Sequence, residues 1–330
     1  MIKPKLKYLF FVLGLLVFLA LCAFGGVYRV MHAPLLLGNQ TIIIEIKKNQ
    51  PAFTVVNTLK KMHLIKHERL IRFYIRIKGI ATQLKAGIYQ IKPGENAQQF
   101  LKKLVTGDVW RLPFTIIEGT TQQQVSKKFQ SVPYLNYSDV DWQAIMDDHL
   151  NAEGLLLADT YYYQADGVAK DILYQANKRL NKVLAENWKN RSPGLPFKSP
   201  YDLLIAASII EKEASLQQEK KLIAGVLVNR LRLHMRLQMD PTIIYGLGSM
   251  YTGKLSRADM RLDSSYNTYL HGGLPPTPIA MVGKDAINAA AHPQVSNYLF
   301  YVAKGDGSHF FSTNYAAQRQ AISRYLKKGL

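Results

Sequence analysis

Hydrophobic and polar positions change their pattern three times along the chain. Residues 8–28 form an uninterrupted run of 21 uncharged, mostly apolar positions. As a helix this run reaches about 32 Å, enough to cross a hydrocarbon core of about 30 Å. Residues 31–40 show no period and read as a linker. From Thr41 the pattern becomes short and regular. TIIIEI (41–46) is β-branched and predicts a strand, and Pro51 suits the first turn of a helix carrying Phe53, Val56, Leu59 and His63 at helical spacing. Leu70, Phe73, Tyr74 and Ile77 share one face of a second predicted helix over 67–78, closed by Gly79. A strand over 84–91, ended by Pro93-Gly94, and a helix capped by Asn96 complete a small α+β module assigned to 41–111.

A larger α+β unit is expected over 112–330. It opens with a strand at 112–117, then Glu118-Gly119 and a helix from Thr121. Ser192-Pro193-Gly194-Leu195-Pro196 interrupts it, and Ser199-Pro200 starts the next helix by placing proline in its first turn. Residues 202–214 are apolar nearly all round, which predicts a buried helix, and a further helix is expected over 218–233.

Composition narrows the class. The chain has 330 residues, 19 Tyr and 13 Phe, enough for two folded units with a sizeable core. One cysteine, Cys22, excludes a disulfide scaffold, a cysteine-rich zinc site and a dithiol centre. Lys3, Lys5 and Lys7 precede the apolar run and only Arg29 follows it closely, so residues 1–7 should stay in the cytoplasm, 8–30 should span the membrane and the body should be exported. Ala23-Phe24-Gly25 would pass as a signal-peptide cleavage site, but the run exceeds the roughly 7–15 residues of a signal peptide's apolar region, favouring a retained anchor. Leu21 before Cys22 disfavours a lipoprotein. The formal charge is +19, and residues 41–110 hold thirteen Lys and Arg against four acids. Outside the membrane such a basic surface meets lipid headgroups and wall polymers, not nucleic acid, although solvated helix faces account for most of the lysines.

The anomaly of the buried helix is its acids. Projected at about 100° per residue, Glu213 falls beside Ala206, Ile209 and Ile210, and Glu211 near Leu204 and Ala207 on the opposite side. A desolvated carboxyl stays protonated near neutral pH and can act as a general acid; either residue could instead be a satisfied ion paired with Lys212, Arg230 or Arg257. Downstream, Gln238, Asp240, Thr242 and Tyr245 flank Pro241, and Ser256, Asn267 and Tyr269 add the amides, hydroxyls and aromatic faces that suit sugars, although singly each also reads as loop and capping chemistry. His63 and His67 are four apart among lysines and arginines, an environment that repels a divalent cation, so no metal is expected. GxSxG, HExxH and P-loop motifs are absent.

Five ordered blocks carry a resemblance: ASIIEKEA (207–214), VNRLRLHMRLQMDPTIIYG (228–246), GKLSRADM (253–260), YNTY (266–269) and GLPP (273–276). Together they resemble the MltG (YceG-like) endolytic murein transglycosylases. Glu118-Gly119, Glu153-Gly154 with Asp159-Thr160-Tyr161, and LFYVA (299–303) followed by His309 look like the family's remaining motifs. The resemblance implies a YceG-like catalytic domain behind a LysM-like module. It also implies cleavage of the MurNAc-β-1,4-GlcNAc bond within nascent glycan strands, without water and without a cofactor, leaving 1,6-anhydro-MurNAc ends and ending strand growth. Glu213 matches the family's catalytic glutamate, with Glu211, Glu118 and Glu153 supporting or binding. The acid would protonate the leaving oxygen, the sugar's own C6 hydroxyl would attack C1, and the ionised glutamate could take the C6 proton. Gln238, Asp240, Tyr245, Asn267 and Tyr269 become candidate sugar contacts, and Thr242 and Ser256 supporting ones. The chain departs from the family pattern at Ala158, Thr277, Met281, Val282 and Gln318. By analogy the protein would sit in the inner membrane with its catalytic domain in the periplasm, near synthases of the elongation or division machinery. A hydrolase leaving reducing ends and a non-catalytic wall-binding protein remain the alternatives.

Overall fold

A computed structural model describes residues 4–325; Lys3, in the expected cytoplasmic tail, lies outside them. Helix α1 (Pro4–His32) contains Phe11–His32, 22 residues with mean hydropathy 2.4. Its apolar side chains, Phe11, Leu16, Phe18 and Leu21 among them, are exposed. No protein core accounts for that apolarity, and the helix is long and apolar enough to cross a membrane.

The chain divides into two compact units, one comprising Met1–Leu112 with Gln164–Gly167, the other Pro113–Tyr163 with Val168–Leu330. In the first, β1 (Ile42–Ile46), α2 (Ala52–Lys61), α3 (Glu68–Ile77), β2 (Gly87–Ile91) and α4 (Ala97–Thr106) follow one another. β1 and β2 pair antiparallel, Ile42 opposite Ile91 and Ile44 opposite Tyr89. Alternation places Ile44 and Ile46 in the core and Ile43 outside. Val55, Val56, Leu59, Ile71, Ile75, Phe100 and Leu104 supply the helical side of that core. Asn96 caps α4 by accepting from Gln99 N while Gln99 bonds back, a reciprocal pair of bonds that satisfies two otherwise unpaired amides. The segment 31–40, expected as a linker, is folded into this unit. Met31, Leu35 and Leu37 are buried in its core, and Leu35 and Leu36 donate their amides to the carbonyls of Glu95 and Leu64 at 2.8 and 3.0 Å.

The remaining elements, in the second unit apart from the ends of β3, β5 and β6 that fall in the first, are β3 (Arg111–Thr115), α5 (Gln122–Ser131), β4 (Leu135–Asn136), α6 (Gln143–Met146), β5 (Thr160–Gln164), β6 (Gly167–Val168), α7 (Ala169–Lys189), α8 (Pro200–Glu213), α9 (Lys220–Arg232), α10 (Asp240–Leu247), α11 (Lys284–Ala291), β7 (Phe300–Ala303), β8 (His309–Ser312) and α12 (Tyr315–Tyr325). Among the described residues the strands pair in twos, β3 with β5, β4 with β6 and β7 with β8. The architecture is therefore mixed α and β, with helices dominant. α8 is its axis. Ser199 caps it by accepting from Asp202 N at 3.1 Å, and every residue from Leu203 to Ile210 is buried. It packs against α7, α9, α10 and α11. The buried residues of α11 are Ala286, Ile287, Ala289, Ala290 and Ala291, and its four alanines are small enough for neighbouring helices to approach closely. Burial of each large aliphatic side chain contributes about 1.5–3 kcal/mol, which fixes α8 and with it the acids at its C-terminal end.

Candidate functional site

α8 ends in Glu211-Lys212-Glu213, three consecutive side chains sent in three directions. Glu211 turns inward: Oε1 lies 2.6 Å from Lys220 Nζ, and Oε2 accepts from Gly283 N at 2.9 Å, with both charged side chains buried. Lys220 lies 3.8 Å from Glu118 as well. Glu211 is thus a satisfied ion, and its partner is Lys220 at the start of α9, not Lys212, Arg230 or Arg257. Lys212 reaches Gly119 O at 3.1 Å. Glu213 faces a cleft.

That cleft has a volume of about 410 Å³ and is lined by Glu213, Arg230, Gln238, Asp240, Tyr269, Tyr301, His309 and Gln318, with Leu237, Val302, Ala303 and Ile322. Glu213 has no ion pair among the described residues. Burial pushes its carboxyl up to about 8, the negative charge of Asp240 adds to the rise, and the Tyr301 hydroxyl bond and the Arg230 charge oppose it. Arg230 does not neutralise Glu213 because backbone carbonyls hold its guanidinium. Nε donates to Leu299 O and Nη1 to Leu237 O, each at 2.6 Å, and the group stacks 5.0 Å from the Phe300 ring centre. A protonated carboxyl in an open cleft, beside groups that bond hydroxyls, is the equipment of a general acid.

Asp240 begins α10 and accepts the Tyr269 hydroxyl at 2.6 Å. Gln238 projects from the preceding loop with φ 50, a left-handed conformation unusual for glutamine, held by its amide bond to Thr268 O at 3.1 Å. Thr242 and Asn267, by contrast, are fully buried. Thr242 bonds Met239 O and Thr268 Oγ1, and Asn267 donates to Met260 O and Leu262 O while accepting from Tyr269 N. Asn267 therefore does not reach a sugar; it shapes the turn that presents Tyr269. Ser256 lies in neither cleft and exchanges capping bonds with Asp259.

Tyr245 and Glu153 meet in a second cleft, about 900 Å³, between the exposed face of α5 (Gln123, Lys127, Gln130) and Pro241, Ile244, Tyr245 and Tyr251. Glu153 is 3% exposed. It accepts from Gln122 N at 2.9 Å and from the Tyr245 hydroxyl, and burial pushes its carboxyl up to about 7. Gly154 fixes its direction: φ is 73, and a Cβ there would lie 2.3 Å from Pro278 Cβ. Glu118 belongs to neither cleft, standing instead with Lys220 and Glu211. Among the described residues no group of three or more His, Cys, Asp or Glu could hold a metal ion.

The model of the YceG-like family matches residues 44–324. The chain belongs to the YceG-like family. It is 28% identical over 314 residues to the endolytic murein transglycosylase of Bacillus subtilis, covering 87% of this chain and 85% of that one. To the endolytic murein transglycosylase of Streptococcus pneumoniae strain D39 it is 26% identical, covering 97% of this chain and 66% of that relative. A crystal structure of a YceG-like protein from Listeria monocytogenes superposes with a TM-score of 0.53 at 29% identity, over 85% of this chain and 98% of that one.

Within this YceG-like chain, several cleft residues escaped analysis by spacing. Tyr301 on β7 and His309 on β8 are about 90 residues from α8 in sequence, and only the strand pairing Ala303 opposite His309 sets them side by side. Arg230, which the sequence suggests only as an ion partner, lines the cleft as well. Positions that depart from the YceG-like pattern are accommodated without disturbing Glu213. Gln318 clamps the β7–β8 hairpin by donating to Tyr301 O and accepting from Ser312 Oγ, at 2.9 and 2.8 Å. Thr277 bonds the Tyr266 hydroxyl at 2.8 Å, Ala158 donates its amide to Val282 O at 2.8 Å, and Met281 and Val282 are fully buried.

Proposed function

We propose that this protein is a membrane-anchored endolytic lytic transglycosylase of peptidoglycan, with Glu213 as its acid. The observation that carries the reading is a carboxyl held near 8 in a cleft, with no cation paired to it and with Asp240, Gln238 and Tyr269 projecting beside it. Glu213 protonates the glycosidic oxygen of a MurNAc-GlcNAc bond. The C6 hydroxyl of the same MurNAc closes on C1, giving a 1,6-anhydro end, so no second carboxylate need activate a water. Gln238, Asp240 and Tyr269 bind sugar at the cut. The wider cleft with Tyr245 and Glu153 binds the strand beyond it, and Glu211, Glu118, Thr242, Asn267 and Ser256 support the frame.

In this reading α1 anchors the chain in the inner membrane with the N-terminus cytoplasmic. Residues 41–111 act as a LysM-like glycan-binding module, and residues 112–330 work in the periplasm next to the synthases that extend the strands. Mass analysis of purified peptidoglycan digested by the full-length protein tests the proposal. Fragments lighter by one water than hydrolytic ones are expected; reducing-end fragments alone would replace the transglycosylase with a hydrolase, and no cleavage would leave a wall-binding protein.

A further inference from the structure

The cleft presents His309, a titratable group that the single-carboxyl scheme does not use. Glu219, just before α9, grips His309 twice: Oε2 lies 2.6 Å from the ring nitrogen Nδ1, and Oε1 accepts the backbone amide at 2.9 Å. Both side chains are mostly buried. A carboxylate at that distance requires hydrogen on Nδ1, which makes Nε2 of the neutral ring the basic nitrogen. The ring lines the same cleft as Glu213, with Tyr301 packed edge-on to it at a centroid distance of 5.3 Å. Tyr301 also bonds the Glu213 carboxyl. His309 is thus a second group in the cleft that can accept a proton while Glu213 gives one up.

We infer that His309, oriented by Glu219, is the base that takes the C6 hydroxyl proton as that oxygen closes on C1. The inference rests on the transglycosylase reading and divides its two proton transfers between two groups. The C1–O4 bond breaks with its electron pair going to O4, which receives the Glu213 proton. O6 forms the new bond to C1, and its proton passes to Nε2, producing an imidazolium beside the Glu219 carboxylate. Proton exchange with solvent then returns Glu213 to its acid form and His309 to its neutral form. Glu219 is a positioning residue in this scheme: it touches no substrate, but it sets the tautomer and balances the imidazolium charge.

The test compares the full chain with its His309→Ala, His309→Gln and Glu219→Gln variants on purified peptidoglycan, following kcat, KM and the share of anhydro against reducing ends. His309→Ala should lower kcat about 100-fold or more with KM nearly unchanged, and water should compete at C1 so that the reducing-end share rises. Added imidazole should restore part of the rate to His309→Ala and none to Glu219→Gln, whose own loss should be about tenfold. His309→Gln, which keeps a polar group of similar size, should unfold at the wild-type temperature and still be slow. Wild-type rate and products in His309→Ala would overturn the inference, as would a rate loss that imidazole does not relieve and that accompanies a lowered unfolding temperature in both His309 variants. If the unmodified protein releases only reducing ends, the transglycosylase reading itself falls, a result separable from either of these.

Discussion

Tyr269 donates its hydroxyl to Asp240 Oδ1 at 2.6 Å, and the two line the cleft into which Glu213 projects. Asp240 raises the Glu213 carboxyl and the Tyr301 hydroxyl bond lowers it, so the two neighbours act in opposite senses. Activity that depends on protonated Glu213 falls as pH rises through about 8. Asp240→Asn should move this alkaline limb toward lower pH and Tyr301→Phe toward higher pH, by up to about one pH unit each. Profiles of kcat/KM against pH for the three proteins check the prediction; shifts of the same sign would contradict it.

The two acids of α8 should fail differently. Glu213→Gln is expected to lower kcat by about 10²–10⁴-fold while leaving glycan binding and the unfolding temperature intact. Glu211→Gln leaves Lys220 without its closest counter-charge inside the protein, with Glu118 3.8 Å away as a partial substitute. A loss of about 3 kcal/mol in stability is expected, with kcat per folded molecule little changed. Urea unfolding and active-site titration on both variants separate the cases.

Glu153 links pH to stability. Its carboxyl titrates near 7 in the folded protein against 4.5 ordinarily. Because the folded value is the higher one, this group's contribution is full below about 4.5 and is lost as pH rises toward 7. Glu153→Gln removes that loss and keeps an acceptor for Gln122 N. The variant should match the wild type near pH 4.5 and exceed it by up to about 3 kcal/mol at pH 8, measured by chemical denaturation.

Gly154→Ala should destabilise by about 2–4 kcal/mol, combining a left-handed backbone with a clash against Pro278. Thermal unfolding reads it directly. A neutral substitution would mean that the 273–283 segment yields easily.

Local chemistry makes several elements legible in the sequence alone. Ser199-Pro200 marks the start of α8, Asn96 that of α4, and the β-branched run at 42–46 becomes β1. Other elements carry weaker signals: α7, 21 residues long, is amphipathic but polar on average, and half of α11 is alanine, so neither stands out by hydrophobic spacing. For the site, the pattern of α8 located both acids and their apolar flanks but not their fates. Which acid is neutralised depends on Lys220, and which faces the cleft depends on β7 and β8, and no rule of spacing within a helix reaches either. Thr242 and Asn267 illustrate the opposite error, since polar side chains beside a site are as often bracing for its loops as contacts for its ligand.

The divergence of Glu211, Lys212 and Glu213 at the end of α8 has an implication for how this helix can change over evolution. A residue gained or lost within α8 would rotate everything after it by about 100°: a gain puts Ile210 against Lys220 and Lys212 at the cleft, and a loss puts Lys212 against Lys220 and Ala214 at the cleft. Point substitutions along α8 trade packing by degrees, but its length is in phase with the reaction. Insertions and deletions should be purged from this segment and collect instead in loops such as 192–196, where no carboxylate depends on the count.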